Sequence, residues 1–362
     1  MNKHITKIAL SLLALTLMGG QLRAQFTTTF AKNASPGQQN GFYYSLPQTM
    51  LKLDFIVEET ALEKGPLSDY ASTYMAMEDY VDYETTEYRL LDVKMTSVNS
   101  PDPNAMFFVT FASVRGGSKA VFDVLPNGII RSIGAGSVLD ADQELPAVIP
   151  PVEPCPVVTE EPKYGFMPLM SAGKTNAQLA KEAADKIAEI RKEKFYLISG
   201  DNDKVSNPET FNAMCKKLDE MEAEYTSLLI GKRVAKKVVK TVYVIPNKEV
   251  PTQTVAKFSE TEGLTVGTSG SGSMITVQTL SMNTTAAINA PSQSAVESMS
   301  YENKVFYRIP ETANVKVAVD GKTLLENRLI VNQLGVLLTA PMTNTKMVFD
   351  TTTGQIINMK MQ

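Results

Sequence analysis

Apolar and polar residues alternate over long stretches of this chain. Leu51, Leu53, Phe55 and Val57 alternate with Lys52, Asp54 and Glu58, the pattern of a strand with one buried face. Tyr88 to Thr96 and Ala105 to Val114 read as further strands, separated by a turn at Asn99-Ser100-Pro101-Asp102-Pro103-Asn104. Arg115-Gly116-Gly117-Ser118 leads into a strand over Lys119–Val124, and Pro126-Asn127-Gly128 into one over Ile129–Ile133. Gly65-Pro66 opens a short helix over Leu67–Met77. Beyond Val234 the β pattern returns, with short strands over 276–280, 305–309, 315–319, 328–331, 336–339, 346–349 and 356–361. Gly267–Ser273 is a flexible stretch or a hairpin tip.

Between these β stretches the period changes. Leu179, Ala183, Ile187, Ile190 and Lys194 recur every three or four residues, as on one helix face, with Thr175 or Asn176 as N-cap. Asn207-Pro208 opens a second helix, whose seam of Phe211, Met214, Leu218, Met221, Tyr225 and Leu228 runs to a stop at Gly231. The two predict an antiparallel helical hairpin over 173–232. Ahead of it, 138–172 reads as a semi-rigid linker, with five prolines between Pro146 and Pro156. Residues 25–40 are polar and read as a flexible arm.

The chain also echoes itself. FYYSLPQT at 42–49 matches VFYRIPET at 305–312, and KAVFDVLPNGIIRSI at 119–133 matches KMVFDTTTGQIINMK at 346–360. Two matched segments in the same order point to a duplication. The expected fold is α+β and mainly β: two β-sandwich-like domains, 41–137 and 233–362, flanking the helical hairpin. The echoed ends serve either two equivalent binding sites or a structural strand and closing hairpin, with Asp123 and Asp350 in the turns.

Residues 1–24 change the picture of location. Lys3 and Lys7 precede an apolar core from Ile8 to Met18, Gly19-Gly20 break it, and Ala24 offers a small residue for cleavage. This is the pattern of a secretory signal peptide, too short to span a membrane stably. Its loss removes three of 35 basic residues and none of 39 acidic ones, so the net charge moves from −4 to −7. An acidic exported chain is a poor partner for nucleic acid or anionic lipid. The expected location is periplasmic, outer-membrane-associated or extracellular. The only histidine, His4, leaves with the signal, which excludes a His-based triad, dyad or zinc site from the mature chain. Cys155 and Cys215 remain, either disulfide-bonded or as free thiols.

Short motifs carry little chemistry. Gly173-Lys174-Thr175 lacks the first glycine of a phosphate loop, since position 168 is Pro. Ser171-x-x-Lys174 stands without the companion motifs of penicillin-binding enzymes. Ser269 has no histidine to activate it. Asp201-Asn202-Asp203 lacks the sixth-position glycine and the twelfth-position glutamate of a calcium loop, which are Ser206 and Asn212. No cofactor is expected. The richest segment joins Tyr74 to Glu78, Asp79, Tyr80, Asp82, Tyr83 and Glu84. Paired carboxylates hydrolyse glycosides, and tyrosine faces with acidic acceptors hold sugars or cations. The alternative is a solvated acidic connection whose tyrosines cover a sheet edge. The absence of Trp weighs against a sugar platform.

The FYYSLPQT start, the GPLSDYAS helix, the helical stretch ending EYTSLLIGK and the FYRIPET…VFDTTTG end resemble a domain-of-unknown-function family of secreted Bacteroidota proteins. That resemblance implies location and domain order, and no chemistry. The expectation is a non-catalytic exported envelope protein, a scaffold or assembly factor for a protein or polymer partner. The alternatives are a carboxylate-based glycan hydrolase, or a calcium-stabilised glycan-binding adhesin.

Overall fold

The computed structural model describes residues 26–35, 40–76, 78–111, 120–135, 173–199, 207–342 and 345–361. The expected signal peptide, the Pro-rich linker, Cys155 and the Asp201-Asn202-Asp203 turn lie outside the described residues.

In chain order, β1 (Phe26–Phe30) and β2 (Gly41–Glu63) precede a short helix, α1 (Ala71–Met75). Then come β3 (Thr85–Phe111), β4 (Ala120–Val124) and β5 (Ile130–Ala135), and the helices α2 (Asn176–Ser199) and α3 (Pro208–Ile230). The remainder is β6 (Lys232–Val244), β7 (Thr252–Ser259), β8 (Gly263–Val266), β9 (Ser273–Ser281), α4 (Gln293–Glu297) and β10 (Tyr301–Glu302). Last are β11 (Lys304–Val319), β12 (Lys322–Pro341), β13 (Thr345–Phe349) and β14 (Ile356–Met361). The fold is mainly β.

Three antiparallel sheets form, ordered β10-β1-β3-β2-β6, β12-β11-β9-β7-β8 and β14-β13-β5-β4. The second comes wholly from the C-terminal half, but the first and third mix the two halves, which corrects the expectation of two separate β domains. β6, from beyond the helices, pairs with β2, β10 pairs with β1, and β13 pairs with β5. The physical reason is that each half-buried sheet needs a facing layer, and each half of the chain supplies that layer for the other. Leu51, Leu53 and Phe55 of β2 pack with Val315 and Val317 of β11 and Ile275 and Val277 of β9. A second core joins Phe30, Tyr44 and Phe107 to Phe306, Met347 and Phe349.

The flexible arm is likewise corrected. Phe26, Thr28 and Phe30 of β1 are buried at alternate positions, and the Thr28 hydroxyl donates to the Lys304 carbonyl at 2.6 Å. The threonines that make FTTTF look polar are β-branched and favour a strand.

The 99–104 turn is also corrected, because β3 runs through it as one 27-residue strand. The trace of the turn is an excursion. Ser45 pairs with Met106 and Pro47 with Pro101, so Asp102 to Ala105 oppose Leu46 alone. The echoed motif does the same. Ile309 pairs with Val336 and Glu311 with Val331, so Asn332 to Gly335 oppose Pro310 alone. Proline has no N–H for the ladder, and such breaks suit it. Gly335 is required at its break, since a Cβ there would lie 2.0 Å from the Ile309 carbonyl oxygen.

The helices pack side by side, with Arg191 and Lys194 of α2 reaching Glu222 of α3 at 2.7 and 2.8 Å. The Asn207 side chain accepts from the Glu209 N–H at 2.9 Å and caps α3. Ala180, Ala183, Ile187, Leu228 and Leu229 bury one end of the pair against Leu67 and Ala71. Towards the other end the cover thins: Phe195 and Ile198 are largely exposed, and Met214 on the expected seam is exposed too.

Candidate functional site

The acidic tyrosine segment lies between α1 and β3 and ties the helices to the first sheet. The buried Val81 donates its N–H to the Ile230 carbonyl at the end of α3, at 2.9 Å. Tyr74 and Tyr80 are half-buried against the helical core. Glu78, Asp79, Asp82, Tyr83 and Glu84 are exposed. Arg233 grips Asp79, with one of its bonds at 3.2 Å, and this hydrogen bond and charge hold the carboxyl below its usual range. A glycosidase acid needs the opposite shift. The structure thus divides the seven residues between tyrosines that pack inward and side chains that face solvent. Among the described residues no three His, Cys, Asp or Glu side chains converge as a metal set.

Sequence reasoning missed the polar centre of the molecule. Arg308 on β11 is buried. It donates to the Pro47 carbonyl at 2.8 Å and to Asp102, within the β3 excursion, at 2.7 Å. Asp102 is held in place by accepting from the Asn104 N–H at 2.9 Å. The β12 excursion reaches back in the same way. The Gln333 side-chain amide accepts from the Thr49 N–H and donates to the Thr49 carbonyl, both at 2.9 Å. It thereby supplies the two bonds that a neighbouring strand would give β2 at that point. Asn332 donates its N–H to the Thr49 hydroxyl at 3.0 Å and its amide to the Thr352 carbonyl at 2.6 Å. Each half of the chain therefore inserts its excursion into the other. The available signal was the echo itself, where charged Arg308 and Glu311 replace Ser45 and Gln48 between core positions.

Glu311 is buried as well. Burial pushes its carboxyl up, but the hydroxyls and N–H groups of Thr284 and Thr285 all donate to it and hold it at about 2, against an ordinary 4.5. A depressed carboxyl stabilises the fold above its unfolded-state value and loses that contribution as pH falls through the folded one. Stability in urea is therefore expected to fall between pH 4.5 and about 2. In Glu311→Gln that segment of the pH profile should flatten; an unchanged profile would refute the assignment.

The two echoed hairpins, β4–β5 and β13–β14, dock alike. The Ser45 N–H donates to the Gly128 carbonyl and the Arg308 N–H to the Gly354 carbonyl, both at 2.9 Å. Gly128 and Gly354 have φ of 87° and 76°, a conformation that favours glycine. Asp350 accepts from the Thr352 N–H and hydroxyl within its own turn, while Asp123 pairs with Arg131 across its hairpin.

These hairpins make the third sheet, whose edges differ from the others. A free strand edge invites pairing, and proteins guard it with shortness or charge. β8 and β10 are short. β6 carries Lys232, Arg233, Lys236, Lys237 and Lys240, and β12 carries Lys322, Glu326 and Arg328. β14 reads IINMKM, with one charge, and exposes Ile357, Met359 and Met361 on one face. β4 reads AVFDV and exposes Val121 and Val124, while its only charge is tied to Arg131.

A family model, a domain of unknown function, matches residues 40–357, nearly all of the described chain. This protein belongs to the DUF4831 family. No curated protein and no solved structure matches the chain. Among the described residues of this DUF4831 protein, no helix is long and apolar enough to cross a membrane.

Proposed function

We propose that this DUF4831 protein is an exported envelope protein with a binding and assembly role rather than a catalytic one, and that it engages protein partners through the edges of its third sheet. One observation carries the reading: those edges are short of charge and expose apolar side chains, whereas the other two sheets end in short strands, in the basic β6, or in β12, which carries its charges over Lys322–Arg328 and ties its excursion to Thr49 of β2. An edge strand offers backbone hydrogen bonds for affinity and alternate side chains for specificity. The basic, apolar and small-residue order of residues 1–24 supports export.

The same reading takes the chain as a tandem duplication whose copies have clasped. Matched sequence, matched four-residue excursions and matched glycine docking of the hairpins support it. The helix pair is an insertion between the copies, and its exposed Phe195 and Ile198 form a secondary contact surface.

The test is capture of the tagged chain from cross-linked envelopes, beside a variant carrying Ile357→Lys and Met359→Lys. Partners retained by the native edge and lost with the variant, at unchanged melting temperature, are the expected result. Equal capture by both would overturn the edge as the binding surface, and turnover of an envelope polymer by the purified chain would overturn the non-catalytic role.

A further inference from the structure

We infer that one occupant of this edge is a second copy of the same chain, joined head to tail, with β14 of one copy pairing with β4 of the next. The inference rests on the proposed edge-binding role and names its partner. The chain already contains this junction once. In the third sheet the strands run β4, β5, β13, β14, so the second strand of the first hairpin abuts the first strand of the second. That internal junction pairs Met347 with Ile133 and Val348 with Ser132, antiparallel.

β14 stands in its hairpin where β5 stands in the first, and β4 stands where β13 stands in the second. Among the described residues, the outer edge of β14 and the outer edge of β4 have no strand beside them. They are the two halves of the junction that β5 and β13 have already made. The direction also fits: strands alternate through the sheet, so an added β4 runs antiparallel to β14 as β13 runs to β5.

Both edges also expose apolar side chains, although the echo places Lys360 of β14 where the internal junction has Ile133. Ile357, Met359 and Met361 on one edge and Val121 and Val124 on the other are 37–78% exposed in the single chain. Pairing would cover this apolar surface without burying an unpaired charge on β4, whose Asp123 already holds Arg131. Because the two edges are different surfaces, the contact is heterologous. Repeating it extends the sheet from copy to copy as an open chain and does not close a two-fold dimer.

The experiment is sedimentation of the purified chain lacking residues 1–24, under reducing conditions, over a wide concentration range. Native protein should grow through successive oligomers. Ile357→Lys with Met359→Lys blocks one edge, and Val121→Lys blocks the other. Each variant alone should self-associate about tenfold or more weakly. Mixed, they should form a one-to-one dimer that grows no further, since each retains the edge the other lacks. These substitutions fall at exposed positions, and melting curves matched to the native chain confirm folding.

Dimerisation of the Val121→Lys variant to the native extent would mean a symmetric β14–β14 contact and overturn the inference. A native chain that stays monomeric yet captures an envelope partner through β14 would overturn the self-pairing and leave the edge-binding role standing. A monomer whose capture is insensitive to both variants would overturn both.

Discussion

Arg308→Ala should cost the fold about 3–5 kcal/mol, the usual effect of leaving one member of a buried ion pair without its partner. The Arg308 side chain is 8% exposed and the Asp102 side chain 3%. Asp102 would retain its bond from the Asn104 N–H but face a vacated, desolvated space, and the Pro47 carbonyl would lose its donor. Thermal melting should drop by roughly 4–7 °C for a chain of this size. A second variant separates the loss of the partner from the loss of the pair. Replacing both groups with apolar ones, Arg308→Met with Asp102→Leu, removes the stranded charge and should recover part of the deficit. A single-variant loss below about 1 kcal/mol, in the range of a surface pair, would show that water reaches the site and that the clasp is not held there.

Phe306→Ala should cost about 3–5 kcal/mol, and the damage should spread over both halves of the chain. Phe306 is fully buried on β11. Its ring stacks on Phe107 of β3 with centroids 4.4 Å apart, and it meets Phe30 of β1 and Tyr301 of β10 edge-on. Its N–H donates to the Tyr44 hydroxyl of β2 at 2.9 Å, and burial pushes that hydroxyl's pKa up. One ring from the C-terminal half therefore fills the core of the N-terminal half. In native-state hydrogen exchange, amides of β2 and β11 should lose protection together in the variant, as one cooperative unit. Loss confined to β11 and β12 would indicate two independently stable domains after all.

Local features were legible where local physics decides them. The Asn207 cap, Pro208 and the three-and-four spacing around Ala183 and Ile187 specify helices whatever lies nearby. Leu51 to Val57 declare a strand with one buried face by alternation alone. The echo at Pro47 and Pro310 was visible as letters, but not as a pair of excursions, because the four extra residues lie on the partner strands, far along the chain. FTTTF was misjudged since its threonines count as polar in isolation, and only pairing with β3 gives them a buried side. The acidic tyrosine segment stands out by composition, yet Tyr74 and Tyr80 pack against the helical core while Tyr83 stays exposed with the carboxylates.

By itself, then, the sequence determined the mainly β composition with two long helices, the repeated strand and hairpin motifs, and the absence of histidine chemistry beyond His4. Each of these follows from residue type and short-range periodicity. Tertiary structure alone decided that the halves share sheets, that Arg308 meets Asp102 and Gln333 meets Thr49, and which strand edges stay open. Those outcomes depend on contacts between residues about 170 to 280 positions apart. Such contacts are set by which apolar faces cover one another and which buried polar groups must then find partners, and no local pattern in the chain encodes that choice.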